Sequence, residues 1–330
     1  MNQPGSAPRL DSLPPQIHGR KASWFELFFD LVFVVAVAQL SESYAHHFDW
    51  VGAASSSGLL LAMWWCWLGH TFHATRFDQQ RRDQRLLGLA QILTVTLIAY
   101  GVSDAFGARG EAFALGLAIF KVLLAMAYLQ ERRWRGAHGL IRAYTALYGL
   151  QALLWLISAV SPPLPRISLW LAALGLDLIS PWWVARYTPA VQPHAEHLPE
   201  RFGLFTIILL GEGVASAVHA LDHGTMIHFH SMAAALAGLG LIFLTWLGYF
   251  EVTRSHGERR VENAAAGRSL RKWAYGHVPI YVGVFNLAAG TVAMASDPNW
   301  ATPQLLLYGF GIALILLGLW WLHCISTEQD

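Results

Sequence analysis

The chain has 330 residues, of which 55% are hydrophobic and only 13% charged, with a formal net charge of +1 and fifteen tryptophans. A soluble globular domain is nearer a quarter charged, so this composition excludes a water-soluble enzyme and points to a polytopic membrane protein. Near-neutral charge excludes an electrostatic nucleic-acid surface, and two cysteines, Cys66 and Cys324, are too few for a disulfide framework or a thiolate metal centre.

Residues 1–23 are polar and carry Arg9, Arg20 and Lys21. The apolar stretch that follows has the wrong flanks for a cleavable signal, so 1–23 reads as a flexible cytoplasmic tail. Ten apolar segments come next, each near the ~20 residues that cross a bilayer. They lie at 24–44, 51–74, 86–104, 111–130, 140–160, 167–186, 202–220, 231–251, 273–295 and 303–324. Together they form an all-α transmembrane domain over 24–325, with a short cytoplasmic tail at 326–330. Small-residue runs at 53–58 and 233–240 suit close helix packing. Pro181 and Pro279 fall inside spans, where bundles tolerate proline.

With a cytoplasmic N-terminus, 19 of the 22 Lys and Arg residues fall on the inner side. Arg109 and Arg166 fall outside, and Lys121 lies within a span. This lopsided bias predicts the bacterial inner membrane with both termini cytoplasmic. A short internal repeat is also visible. Phe25–Phe28 resembles Phe202–Phe205, and 67–76 resembles 246–254 with one gap. Spans 7 and 8 thus echo spans 1 and 2 at a six-span offset, a parallel duplication of the sort transporters use.

The first span, 24–40, carries Glu26 and Asp30 four residues apart, hence on one helix face. At ~1.5 Å rise per residue, Asp30 lies roughly 9 Å inside the inner end. His70, His73 and His277 reach the same level from spans 2 and 9, predicting an inner polar cluster of acids paired with histidines, His70 donating to Asp30. Lys121, Asp177 and Glu212 reach the midplane. Two readings of these groups are open: a path that conducts or gates an ion, or neutralising contacts that lock helices together, with Lys121 cancelling one acid. The outer loops hold His46, His47 and Asp49, then His219, Asp222, His223, His228 and His230. Loop imidazoles such as His46, His47, His223, His228 and His230 can ligate metals, but their spacing matches no metal pattern, so no metal and no cofactor is expected.

These residues carry a family resemblance. W-F-E-L-F-F-D-L-V-F-V-V-A-V-A-Q-L (24–40), T-R-F-D (75–78) with Arg85-Leu86-Leu87, E-R-F-G-L-F-T-I-I-L-L-G-E (200–212) and Y-G-H-V-P-I-Y-V-G-V (275–284) resemble the bacterial low-temperature-requirement A family. The chain departs from that pattern at Gln79, Gln80 and Gly213. The resemblance implies a multi-pass membrane protein linked to growth in the cold. Phe28-Phe29-Asp30-Leu31-Val32-Phe33, with Trp67 and His70, is also similar to potassium channels whose first helix bears a Phe-Ser-Asp signature and whose six-span unit is duplicated. The expected function is a transporter or channel for a small solute or ion, not an enzyme; the alternative is a membrane scaffold or stress-linked assembly factor. Expected partners are membrane lipids, the solute or ion, and a second copy of the chain in a homo-oligomer, with no nucleic acid.

Overall fold

A computed structural model of the chain describes residues 23–77, 81–195, 197–221, 228–254, 264–297 and 300–327. Most of the tail expected at 1–23, and residues 328–330 of the one expected at 326–330, lie outside these. Ten helices account for the apolar segments: α1 (Trp24–Ala45), α2 (Trp50–Ala74), α3 (Arg82–Val102), α4 (Gly110–Gln130), α5 (His138–Ala159), α6 (Pro163–Trp183), α7 (His197–His219), α8 (Phe229–Arg254), α9 (Ala264–Ser296) and α10 (Thr302–Thr327). All ten are long and apolar enough to cross a membrane, and the described residues contain no strand. Successive spans alternate in direction, which gives the bundle a basic end, where α1 starts, and a far end.

Local chemistry sets the helix starts. Ser23 and Glu26 close a reciprocal capping box on α1, satisfying two of the donors that a helix start leaves open. Asp49 caps α2 through the Gly52 amide at 2.7 Å. Proline opens α6, where its missing N–H costs nothing. Pro181 and Pro279 sit inside α6 and α9.

α1 is the central element. Glu26, Phe29, Asp30, Phe33, Val37, Leu40, Ser41 and Tyr44 form one buried stripe, at the three- and four-residue spacing of a helix face. Trp24, Phe28, Leu31 and Val35 on the opposite face are exposed apolar side chains, as a lipid-facing surface requires. The buried stripe packs on α2, α3, α7 and α9.

Helix contacts recur at the six-span offset. α1–α3, α2–α4 and α3–α4 are neighbours, and so are α7–α9, α8–α10 and α9–α10. The repeat also aligns individual contacts. Three residues after Trp67, His70 Nδ1 lies 2.7 Å from Gln91 of α3. Three residues after Trp246, Tyr249 lies 3.0 Å from His277 Nε2 of α9. Four residues after Phe25, Phe29 stacks on His70 at 3.7 Å; four after Phe202, Thr206 donates to the Phe202 carbonyl and the Tyr281 hydroxyl instead.

Of the two small-residue runs, 233–240 packs closely. Ala234 and Ala235 are buried against Ala217, Ala220 and Ala295, and a Cβ on Gly238 would lie 2.6 Å from Thr291 Oγ1. The run at 53–58 does not. Gly58 has nothing within 4 Å of its Cβ direction, and Ala54, Ser55 and Gly58 instead border an apolar cavity of about 270 Å³ walled by Trp155 and Trp170.

Candidate functional site

Polar side chains are buried at three places, and the helix periodicity decides which of them meet. At the basic end, α1 and α7 cross with their polar stripes facing. Arg201 is completely buried; its Nη2 donates to Asp30 Oδ1 at 2.6 Å and its Nη1 lies 4.0 Å from Glu26. Trp67 of α2 donates to the same Asp30 oxygen at 2.7 Å. His197, four residues before Arg201, points Nε2 at Glu26 (3.3 Å) and Nδ1 at Glu200 (3.2 Å). The expected acid–histidine pairing therefore takes another form. Asp30 is held by Arg201 and Trp67, not by His70, which bonds Gln91 and stacks on Phe29. His73 packs edge-on to Tyr128. His277 donates from Nδ1 to the Trp273 carbonyl at 2.9 Å, leaving Nε2 to accept from Tyr249.

The reason is register. α7 begins at His197, five residues before the span read from hydropathy, because the buried face of Phe205 and Leu209 extends back through Arg201 and His197. Hydropathy leaves Arg201 one residue outside the span at 202–220. The signal that would have found it is that it follows the i, i+4 stripe of its own helix. Arg76 in T-R-F-D is another buried cation. It donates to the Tyr128 and Tyr144 hydroxyls at 3.3 and 3.4 Å and lies over the Phe72 ring, tying α2 to α4 and α5.

The midplane trio is divided. Lys121 of α4 and Asp177 of α6 form a buried pair, with Nζ 2.7 and 3.0 Å from the two carboxylate oxygens and Gln151 Nε2 2.8 Å from one of them. Tyr148 places its ring 5.5 Å from Nζ. This is a clasp joining α4, α5 and α6.

Glu212 lies elsewhere, at a far-end vestibule of about 500 Å³ between α1, α7 and α9. Its walls include Ser41, Glu42, Asp297 and Trp300 together with His46 and His219. Glu212 is nine-tenths buried and accepts from Ser216 at 3.2 Å. Glu42 and Asp297 are exposed at the rim and Glu212 is buried below them; carboxylates of one sign around a cleft give it a negative potential that attracts cations.

Eleven residues of α7, roughly 16 Å of rise, separate Glu212 from Arg201. That interval is apolar and aromatic, with Phe205 4.5 Å from Trp67 and 5.2 Å from Tyr281. Along α7, then, the acidic vestibule at one end is separated by packed aromatic rings from the Asp30–Arg201 ion pair at the other.

The remaining loop histidines do not converge. His47 Nδ1 donates to the Ser43 carbonyl, the exposed His228 stacks on His230, and His230 Nε2 donates to the Ala295 carbonyl. Asp222 and His223 lie outside the described residues. Among the described residues no group of three or more His, Cys, Asp or Glu side chains is placed to hold a metal ion. Cys66 and Cys324 are not joined in a disulfide.

No solved structure matches the chain. A curated relative, "Uncharacterized protein RA0937" of Rhizobium meliloti (strain 1021), is 28% identical over 326 residues, covering 93% of this chain and 78% of its own length. Residues 21–330 match the family described as "Bacterial low temperature requirement A protein (LtrA)". The chain is a multi-pass membrane protein and belongs to the LtrA family.

Proposed function

We propose that the chain is a transporter or channel for a small cation, which enters the far-end vestibule and passes along the α1–α7–α9 seam. The observation that carries this reading is the vestibule itself, about 500 Å³ and lined by Glu42, Glu212 and Asp297. Burying a carboxylate at membrane depth is costly unless a cation or water meets it, and Glu212 on α7 is buried whereas Glu42 and Asp297 are exposed. The Asp30–Arg201 contact closes the seam at the other end. In the orientation set by the basic loops, that closed end faces the cytoplasm of an inner-membrane protein and the vestibule faces out. A role in growth at low temperature is part of this proposal, as the carriage of an ion whose passage limits growth in a stiffened membrane.

Reconstitution in liposomes tests it. Flux of Na⁺, K⁺, ammonium, Mg²⁺ and small organic cations is compared between wild type, Glu212→Gln and protein-free vesicles. Wild-type flux of at least one cation, lowered roughly tenfold or more by removing the Glu212 charge, is the expected result. Equal rates in all three across the panel would refute it. The rival reading is a non-transporting scaffold or stress-linked assembly factor. It draws support from the Lys121–Asp177 pair, whose charges already cancel each other. It expects no flux, and cold growth that survives Glu212→Gln.

A further inference from the structure

His197 occupies an unusual position. Its side chain is fully buried, yet its two ring nitrogens face two different carboxylates: buried Glu26 at 3.3 Å and Glu200, 44% exposed, at 3.2 Å. An imidazole placed this way joins a water-accessible acid to an acid inside the bundle. Nδ1 hydrogen-bonds Glu200, and Nε2 lies within ion-pair reach of Glu26 but outside hydrogen-bond geometry. A carboxylate only accepts, so a proton passes from Nε2 to Glu26 when the ring turns to align that contact. The neutral ring carries its proton on Nδ1 or on Nε2, and these arrangements differ only in where one proton sits.

We infer that His197 shuttles protons between Glu200 at the basic end and Glu26 in the ionic lock it forms with Asp30 and Arg201, so that the cation passage proposed above exchanges with protons. The step balances. Glu200 takes a proton from water and gives it to Nδ1. The Nε2 proton leaves for Oε2 of Glu26. The ring stays neutral in its other tautomer, Glu200 returns to a carboxylate, and Glu26 becomes the neutral acid. The groups facing His197 are Glu26, with Asp30 one turn further along α1, Arg201 and Glu200 on α7, and His194 in the connector, whose Nδ1 accepts from the His197 amide at 3.3 Å. His70 of α2 stands beyond the lock, engaged with Gln91.

Charge counting supplies the coupling. With a neutral His197, the lock holds Glu26, Asp30 and Arg201, a net charge of −1. A proton on Glu26 brings it to zero, and so does a cation arriving from the seam. The two compete for one negative charge, so one leaves as the other binds. Protonating Glu26 also removes one of the two acids facing Arg201, which weakens the α1–α7 contact that closes the seam. A shuttle of this kind uses both ring nitrogens.

The test uses the full chain in liposomes with a trapped pH-sensitive dye, and Na⁺ or K⁺ gradients as the probe. An imposed cation gradient should drive protons the opposite way in wild type. His197→Gln keeps the polar contact but cannot relay, and should slow proton movement by about a hundredfold, the size of a lost general acid–base step. Glu200→Gln alters a half-exposed side chain outside the packed core and should slow it roughly tenfold at neutral pH. Cation flux in wild type without counter-flow of protons overturns the inference and leaves the transport reading standing. So does proton exchange at the wild-type rate in a folded Glu200→Gln and His197→Gln. Absence of any cation flux overturns the transport reading itself, and the exchange with it.

Discussion

The Lys121–Asp177 clasp makes the sharpest stability prediction, because removing one half should be costly and removing both nearly neutral. Charges about 3 Å apart attract by roughly 5–6 kcal/mol at an effective dielectric of 20. Burying both ions costs several kcal/mol each, so the intact pair contributes little net stability. Lys121→Met changes that balance. Asp177 keeps one donor, Gln151 at 2.8 Å, and loses the ammonium that served both its oxygens. Stranding a buried partner in this way costs about 3–5 kcal/mol, and Gln151 places the expectation near 3. The double variant Lys121→Met/Asp177→Leu leaves no charge to strand and should return to within about 1 kcal/mol of wild type. Helix loss followed by circular dichroism against increasing denaturing detergent in mixed micelles reads both values. A double variant as unstable as the single one, or a single variant with no loss, would refute the clasp. The same proteins in the liposome assay show whether the clasp stands apart from the path: the folded double variant should still conduct.

The other expectations concern contacts between helices. Trp67→Phe removes the indole N–H from Asp30 while Arg201 stays, and should cost about 1.5–3 kcal/mol, the range for hydrogen bonds to charged groups, in the same unfolding assay; no change would mean that the bond adds nothing to the α1–α2 contact. Gly283→Ala would put a methyl 2.6 Å from the Gly311 carbonyl oxygen, so α9 and α10 must part, at a cost of about 1–3 kcal/mol. Gly149→Ala meets nothing within 4 Å and should be neutral or slightly stabilising, since it favours the helix by about 1 kcal/mol. Equal melting of these two variants would show that backbone approach does not set the α9–α10 spacing.

The all-α membrane architecture was legible in the sequence because it depends on run length and on where Lys and Arg fall, both one-dimensional quantities. The ten spans agree with the helices to within a few residues at most ends; α7 and α9 begin earlier, at His197 and Ala264. Those early turns are polar, and hydropathy reads polar turns as loop even when a neighbouring helix buries them. Two short stretches suggested a repeat, and the His70–Gln91 and Tyr249–His277 contacts fall at matching positions of it.

Pairing among polar groups was decided in three dimensions. Depth along a helix can be counted from its end, but only once the end is known: against the helix bounds Lys121, Asp177 and Glu212 lie 9, 6 and 15 residues from the basic end, so Glu212 differs from the other two in depth as well as in direction. Depth says nothing about azimuth. α4 and α6 turn Lys121 and Asp177 toward each other, while α7 turns Glu212 into the vestibule beside α1 and α9. The same holds for Asp30, for which His70 was at the right height but Arg201 and Trp67 faced it. Constant rise per residue converts position along a helix into depth, but where a helix begins shifts with the burial of its polar first turn, as at α7 and α9. Which opposite charge a side chain meets depends on the rotation and contact order of whole helices, and only the packed bundle specifies those.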